Sequence, residues 1–370
     1  MVEFSGWQGE TEMPSRRHIA IGADPRVYPT GRDGVVRQRI LACCILAFIL
    51  FGSAGSTSAA RNQAGILKHR VVHRTARWHR ERALPSPALS DSLVLPRPGL
   101  RDISAASAVL MDAKTGEVLY ARNPDLPLPP ASVTKILTAL VILERGRLTD
   151  TVVVSQEAAR VGGYRLGLRR DQRISLEDLL AAILIRSAND AAMAAAEHVG
   201  HGLDGFIALM NAKAEELGME HSHFANPHGL DEPGHFTTAR DLAVLTRVAL
   251  QNPTFAELVR ARGATVTIWK PGRRRDVPAA RSILTHNKLL GLMEGADGVK
   301  TGYTGQAGRC LVASASRGDQ RMIAVLLNDP WRWSDATALL QYGFGAAGSA
   351  ARLRDGDRHS PLARATVNPS

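Results

Sequence analysis

The sequence predicts an α+β fold, an α/β sandwich with one antiparallel sheet of about five strands built from both ends of the folded unit. Helices cover the sheet, and an all-α region is inserted between its halves. Three observations predict this. A strand–turn–strand pattern lies before residue 125, apolar residues recur at helical spacing from Ser132 to Leu250, and strand signals return from Ala264 to Asn328.

In chain order, "ASAVLMDAKTGEVLYARN" reads as a strand to about Met111, a turn over Asp112 to Gly116 and a return strand from Val118. Lys114, Thr115 and Gly116 are therefore turn residues. Val133, Ile136, Leu137, Leu140 and Val141 give one apolar helical face starting at Ser132, and Gly146 ends it. A second helix opens on Ser175 with Asp178 three residues on, a variant capping box, and runs to about Arg186. A third follows Asn189 to Gly200, and others span about 204–217 and 238–250. "ATVTIW", "GVKTGYT", "CLVASAS" and "MIAVLLN" then read as strands, the last two as a hairpin. A final helix covers about Ser334 to Gly345. There is no internal repeat.

The 370 residues carry a formal charge of +11, unevenly placed. Counting Lys and Arg against Asp and Glu gives +7 for residues 1–102, +2 for 103–345 and +2 for the remainder. A nucleic-acid-binding domain should carry its basic excess on the folded unit, so the near-neutral middle argues against that class. Residues 40–51, "ILACCILAFILF", follow Arg37 and Arg39 and precede a small-residue stretch. The run is short for a membrane span and reads as an export signal cleaved near Ala60, with retention as an anchor the alternative. The stretch before it is longer than a signal requires, which predicts a true start downstream of Met1. Cys43 and Cys44 sit early in the run, where a lipid-attachment cysteine should follow it, and this leaves Cys310 as the one mature thiol.

The predicted organisation is an N-terminal extension with signal or anchor (1–60), a basic, Pro-rich disordered linker (61–102), a folded unit (103–345) and a disordered tail (346–370). Between Arg61 and Arg82 seven Lys or Arg and three His accompany a single Glu. This is a solvated tether, with contact to a membrane or anionic envelope polymer as its functional alternative. The crowd of cations opposes metal binding by those histidines.

Ser132 and Lys135 lie three apart at a helix start, so they share a face. A lysine amine can take a serine proton only when neutral, which burial and a second cation both favour. Ser187 and Asn189 sit where two helices break. Lys300, Thr301, Gly302 and Tyr303 lie on a predicted strand, with glycine leaving the backbone open to an extended peptide. Each motif alone is weak. Their order is not: Ser132 to Ser187 is 187 − 132 = 55 residues, and Ser187 to Lys300 is 300 − 187 = 113. Ser-x-x-Lys, Ser-x-Asn and Lys-Thr-Gly in that order form the signature of penicillin-binding proteins and class A β-lactamases. The first Lys-Thr-Gly precedes Ser132 and falls outside it.

From about Ala105 to Gly345 the chain resembles the low-molecular-weight penicillin-binding proteins, the serine-type D-alanyl-D-alanine carboxypeptidases. "PASVTKILTA", "SANDAA", "FANPHGLDEPGHFTTARDLAVL", "GADGVKTGYTGQAGRCLVASA" and "VLLNDPWRWSDATALLQYGF" carry the resemblance in family order. It implies a penicillin-binding protein/β-lactamase-like transpeptidase fold of the single-domain kind, and an exported enzyme of the periplasm or cell surface, with residues 40–60 the possible membrane attachment. It implies peptidoglycan stem peptides as substrate, β-lactams as covalent inhibitors, and neither metal nor cofactor. By resemblance, Ser132 is the nucleophile, Lys135 its general base and Ser187 the proton relay. Asn189 holds the peptide amide, Lys300 supports the electrostatics, and Thr301 binds the terminal carboxylate. The N–H groups of Ser132 and Tyr303 form the oxyanion hole. A D,D-endopeptidase cutting cross-links is the nearest alternative. A β-lactamase lacks a convincing deacylating Glu here, and a non-catalytic sensor would not need all three motifs. Arg170-Asp171 replaces the Pro-Gly of many members, and His286 stands where some carry Arg, so the cation for the carboxylate is open. Asn226, His228 and Gly229 either line the site or form a turn over Pro227.

Overall fold

The computed structural model describes residues 102–358, with side chains to residue 346. The expected extension and its apolar run, all but the last residue of the basic linker, and the end of the tail lie outside the described residues.

β1 (Ser107–Asp112) and β2 (Val118–Arg122) form the predicted hairpin. Asp112 Oδ1 accepts the N–H groups of Lys114 and Thr115, and Gly116 closes the turn at φ +80°. The left-handed conformation favours glycine, so the first Lys-Thr-Gly is a turn. A 3₁₀ turn, Ala131–Thr134, leads into α1 (Lys135–Arg145), which ends at Gly146. Next come β3 (Thr151–Val153), α2 (Gln156–Arg160) and β4 (Arg173–Ser175). α3 (Leu176–Ala181) opens on Ser175, whose Oγ accepts the Asp178 N–H at 3.0 Å, and passes into a π turn over Ala182–Arg186. α4 (Asn189–Val199), α5 (Leu203–Glu216) and α6 (Ala239–Ala249) occupy the predicted places. The chain continues through α7 (Pro253–Arg260), β5 (Gly263–Lys270), β6 (Val277–Leu284) and α8 (Leu289–Leu292). It closes with β7 (Ala296–Thr304), β8 (Gly308–Arg317), β9 (Gln320–Leu327) and α9 (Arg332–Arg358).

The five-stranded sheet runs β2-β1-β9-β8-β7, antiparallel throughout, so strands from both ends of the folded unit pair in its middle. Both faces are buried. Val109, Ile323 and Val325 pack among the helices that follow β2, while Leu110, Ala324 and Leu326 pack with Leu339, Leu340 and Phe344 of α9. This explains why β8 and β9 read as nearly continuous apolar runs.

Two expectations are corrected. The inserted region is not all-α: β3, β4, β5 and β6 form a second, four-stranded antiparallel sheet. β3 and β4 have three residues each, too few for a periodic signal. The last helix does not stop at Gly345 but reaches Arg358, so residues 346–358 are helical instead of a disordered tail. That stretch is rich in alanine and arginine, strong helix formers, and meets no proline before Pro361.

α1 lies under the site. From Lys135 to Ile142 every residue is buried, and each of Ile136, Leu137 and Ile142 gains about 2 kcal/mol by burial. That anchorage holds the helix in place while its first residue, a fully buried lysine, carries a cost of several kcal/mol if charged.

Candidate active site

The 3₁₀ turn that carries Ser132 is pressed against β7. A Cβ on Gly302 would lie 3.0 Å from Ala131 Cβ and 3.1 Å from both Pro130 O and Ser132 N. Glycine at this point lets the two backbones meet, and it brings Thr301 and Tyr303 beside the serine.

Lys135 Nζ lies 3.0 Å from Ser132 Oγ and 2.7 Å from Asn189 Oδ1, and it also contacts the carbonyl oxygen of His228. The last two partners can only accept. A neutral amine has two N–H groups and one lone pair, so the acceptors take both protons and the lone pair faces the serine hydroxyl. Burial, then the charge of Lys300, hold the Lys135 pKa well below the usual lysine range.

Ser187 ends the π turn in the left-handed region, at φ +63°, which turns its side chain into the cleft instead of continuing the helix. Lys300 Nζ donates to Ser187 Oγ at 2.8 Å and to Thr301 O at 3.0 Å. Burial and nearby Arg332 lower its pKa to about 7. Asn189 is not free to serve a ligand with its oxygen: Oδ1 faces Lys135 and Nδ2 donates to Gly162 O at 2.8 Å. Next to it, buried Asp190 accepts the N–H groups of Leu166, Gly167 and Leu168 at 2.8–2.9 Å. These bonds fix the loop that presents Tyr164. In the same region Arg170 and Asp171 turn the chain without Pro-Gly, Asp171 taking φ +64°.

The segment Asn226–Leu230 is both a turn and part of the site. Asn226 Oδ1 accepts the Gly229 N–H at 2.7 Å, Thr138 Oγ1 donates to Pro227 O at 2.7 Å, and His228 O faces Lys135. Beneath it, His235 Nδ1 accepts the Ala225 N–H at 3.0 Å. Its Nε2 therefore donates to Thr134 Oγ1 at 2.9 Å, which donates in turn to Ala131 O at 2.8 Å. The imidazole is neutral and both nitrogens are satisfied.

Two recesses open at Ser132. One, of about 490 Å³, is lined by Tyr164, Leu230, Asp231 and Tyr303; the other, of about 70 Å³, by Ser187, Thr301 and Arg332. Arg332 donates to Gly302 O at 2.7 Å and Cys310 O at 3.1 Å, and its buried Nε has no partner among the described residues. His286 packs against Tyr164 with the rings tilted and their centroids 4.7 Å apart, but burial, Lys300 and Arg186 hold its pKa below the usual range. The fixed cation of this recess is thus Arg332, which motif reasoning missed, as it missed Asp190 and His235. The available signal is an arginine between two tryptophans just past the last strand. All eight sequence-predicted residues, Ser132, Lys135, Ser187, Asn189, Lys300, Thr301, Gly302 and Tyr303, converge on this one cleft.

Fold and cleft together define a class: an α/β sandwich with a Ser-x-x-Lys motif, a buried second lysine and a Ser-x-Asn turn gathered between its sheet and its helices. The chain belongs to the D-alanyl-D-alanine carboxypeptidase family, whose pattern matches residues 95–330. It is 36% identical to the D-alanyl-D-alanine carboxypeptidase DacF of Bacillus subtilis over 65% of this chain and 62% of that protein. It is 34% identical to DacB2 of Mycobacterium tuberculosis over 66% of this chain and 83% of that protein. Among solved structures, the Streptomyces K15 DD-transpeptidase superposes with a TM-score of 0.63 at 29% identity, over 66% of this chain and 99% of that one. A D-alanyl-D-alanine carboxypeptidase from Mycobacterium tuberculosis gives 0.61 at 32% identity, over 69% and 95%. The chain spans 62% of the length of the Bacillus relative, less than two thirds.

Proposed function

We propose that this protein is a serine D-alanyl-D-alanine carboxypeptidase that removes the terminal D-Ala from peptidoglycan stem peptides. The observation that carries the reading is the surrounding of Lys135, which directs a lone pair at Ser132 Oγ. Ser132 Oγ attacks the carbonyl between the two D-alanines as its proton passes to the Lys135 amine. The oxyanion forms between the N–H groups of Ser132 and Tyr303, each donor worth about 3 kcal/mol of transition-state stabilisation. Ser187, backed by Lys300, relays a proton to the leaving nitrogen as the C–N bond breaks. Water then attacks the acyl-enzyme with Lys135 again as base, releasing the shortened peptide.

Arg332 and Thr301 flank the recess beside Ser132 and would take the terminal carboxylate, the role for which sequence left the cation open. Asn189 orients Lys135 through Oδ1, and its second amide proton remains for the substrate. β-Lactams would acylate the same serine. Because the substrate lies outside the cytoplasm, the reading requires export, consistent with the basic-flanked apolar run at 40–51.

The test is incubation with a pentapeptide ending in D-Ala-D-Ala, beside a cross-linked muropeptide. Release of one D-Ala per pentapeptide, abolished by Ser132→Ala, supports the carboxypeptidase. Cleavage of the cross-link alone would move the assignment to an endopeptidase, and no product from either would reject both.

A further inference from the structure

Outside the cleft, charge is concentrated in two segments. Residues 160–173 hold five arginines against Asp171, and residues 262–281 hold five arginines and Lys270 against Asp276. That is 11 − 2, or +9, inside a stretch (103–345) that nets only +2, so the rest of the folded unit nets 2 − 9, or −7. Every one of these cations is exposed. Folding joins the two segments: Arg173 pairs with Trp269 in the β4–β5 ladder and lies 3.3 Å from Asp276, while Arg281 donates to Leu166 O.

The β5–β6 hairpin tip has a second property. Lys270 and Arg273 to Arg275 surround the turn, while Trp269 is 41% exposed and Val277 is 55% exposed. Trp269 stands opposite Pro278 and Val277 opposite Lys270, so the two apolar side chains lie on opposite faces of the tip. β6 is an edge strand, and Pro278 and Arg281 guard it against pairing with other chains. Edge protection leaves the three turn arginines and the exposed tryptophan unexplained.

We propose that this hairpin tip docks on an anionic phospholipid surface, Trp269 and Val277 entering the headgroup layer and the arginines meeting lipid phosphates. A soluble polyanion would reward the cations alone; only a charged surface over an apolar layer rewards the tryptophan and valine as well. Among the described residues no helix is long and apolar enough to cross a membrane. The docking is independent of the catalytic reading.

The test is sedimentation of the full chain with vesicles of phosphatidylglycerol and phosphatidylcholine, and with phosphatidylcholine alone. Each cation near an anionic surface is worth roughly a factor of five in affinity, so Arg273→Gln, Arg274→Gln and Arg275→Gln together should weaken binding to the anionic vesicles about a hundredfold. Trp269→Ala should also weaken it, and both variants should keep penicillin labelling of Ser132, which reports the fold. Single Arg274→Gln, with a fall in binding as salt rises, serves if the triple variant is not recovered. Equal binding of wild type and triple variant would overturn the proposal, as would equal wild-type binding to both vesicle types. Loss of binding to soluble polyphosphate in the triple variant, with no effect of Trp269→Ala on vesicles, would instead assign a polymer site.

Discussion

Lys135 Nζ lies 2.7 Å from Asn189 Oδ1, an oxygen that can only accept a hydrogen bond. An uncharged amide there lets the buried amine stay neutral; a carboxylate would not. Asn189→Asp should therefore raise the Lys135 pKa, because a neighbouring negative charge favours the protonated amine. Acylation by a fluorescent penicillin should fall roughly tenfold or more at pH 7, with the rising limb of its pH profile moved to higher pH. An unchanged pH profile with weaker binding would confine Asn189 to substrate contact.

Lys300 supplies the second half of the electrostatics. Acylation should rise with pH as Lys135 loses its proton and fall near pH 7 as Lys300 loses its own, giving a bell. In Lys300→Gln the falling limb should vanish. Because a positive neighbour of Lys135 is gone, the rising limb should move to higher pH, with the optimum rate down about a hundredfold. Rates of penicillin labelling between pH 5 and 10 measure both limbs, and a rising limb that stays put would rule out the coupling.

The part of this site legible in sequence is the part whose chemistry lies in residue type and order. Ser132, Ser187 and Lys300 are distant in the chain, yet each sits in a short motif at a helix start, a helix break or a strand, which local patterning locates. Arg332, Asp190 and His235 are less visible because their roles arise from contact: with Gly302 O, with the N–H groups of the 166–168 loop, and with Thr134. The same limit hid the second sheet. β5 reads as a strand, but of its two partners β4 is three residues long and lies 88 residues earlier (263 − 175), while β6, Val277–Leu284, is a mostly exposed edge strand with Pro278 and no apolar alternation to mark it.

Gly229 is required by shape. It adopts φ +82°, and a Cβ there would lie 1.9 Å from the carbonyl oxygen of Ala131, the residue before Ser132. Gly229→Ala should displace the 3₁₀ turn and cost both thermal stability and penicillin labelling, by at least tenfold in the latter. Gly162→Ala is the control, since its Cβ would meet nothing within 4 Å, although Gly162 O also faces the site through Asn189. Equal labelling by the two variants would show that the contact at Ala131 does not position Ser132.

His235 should make stability depend on pH with a definite sign. Burial, then His223 and Lys135, hold its pKa at about 4, whereas the unfolded chain takes up the proton near its ordinary value of 6.5. Between those values the unfolded state binds more protons, so stability falls as pH falls, by about 3 kcal/mol once pH 4 is reached. His228, lowered to about 3 chiefly by burial, adds in the same direction. Other groups cancel in a comparison with His235→Gln. At pH 8 the variant should be less stable by about 1–2 kcal/mol, having lost the bonds to Ala225 and Thr134. Near pH 4 that gap should close or reverse, because the variant has no imidazole to protonate. Denaturant melts at several pH values read the gap; a gap constant from pH 8 to 4.5 would show that the imidazole carries no such penalty.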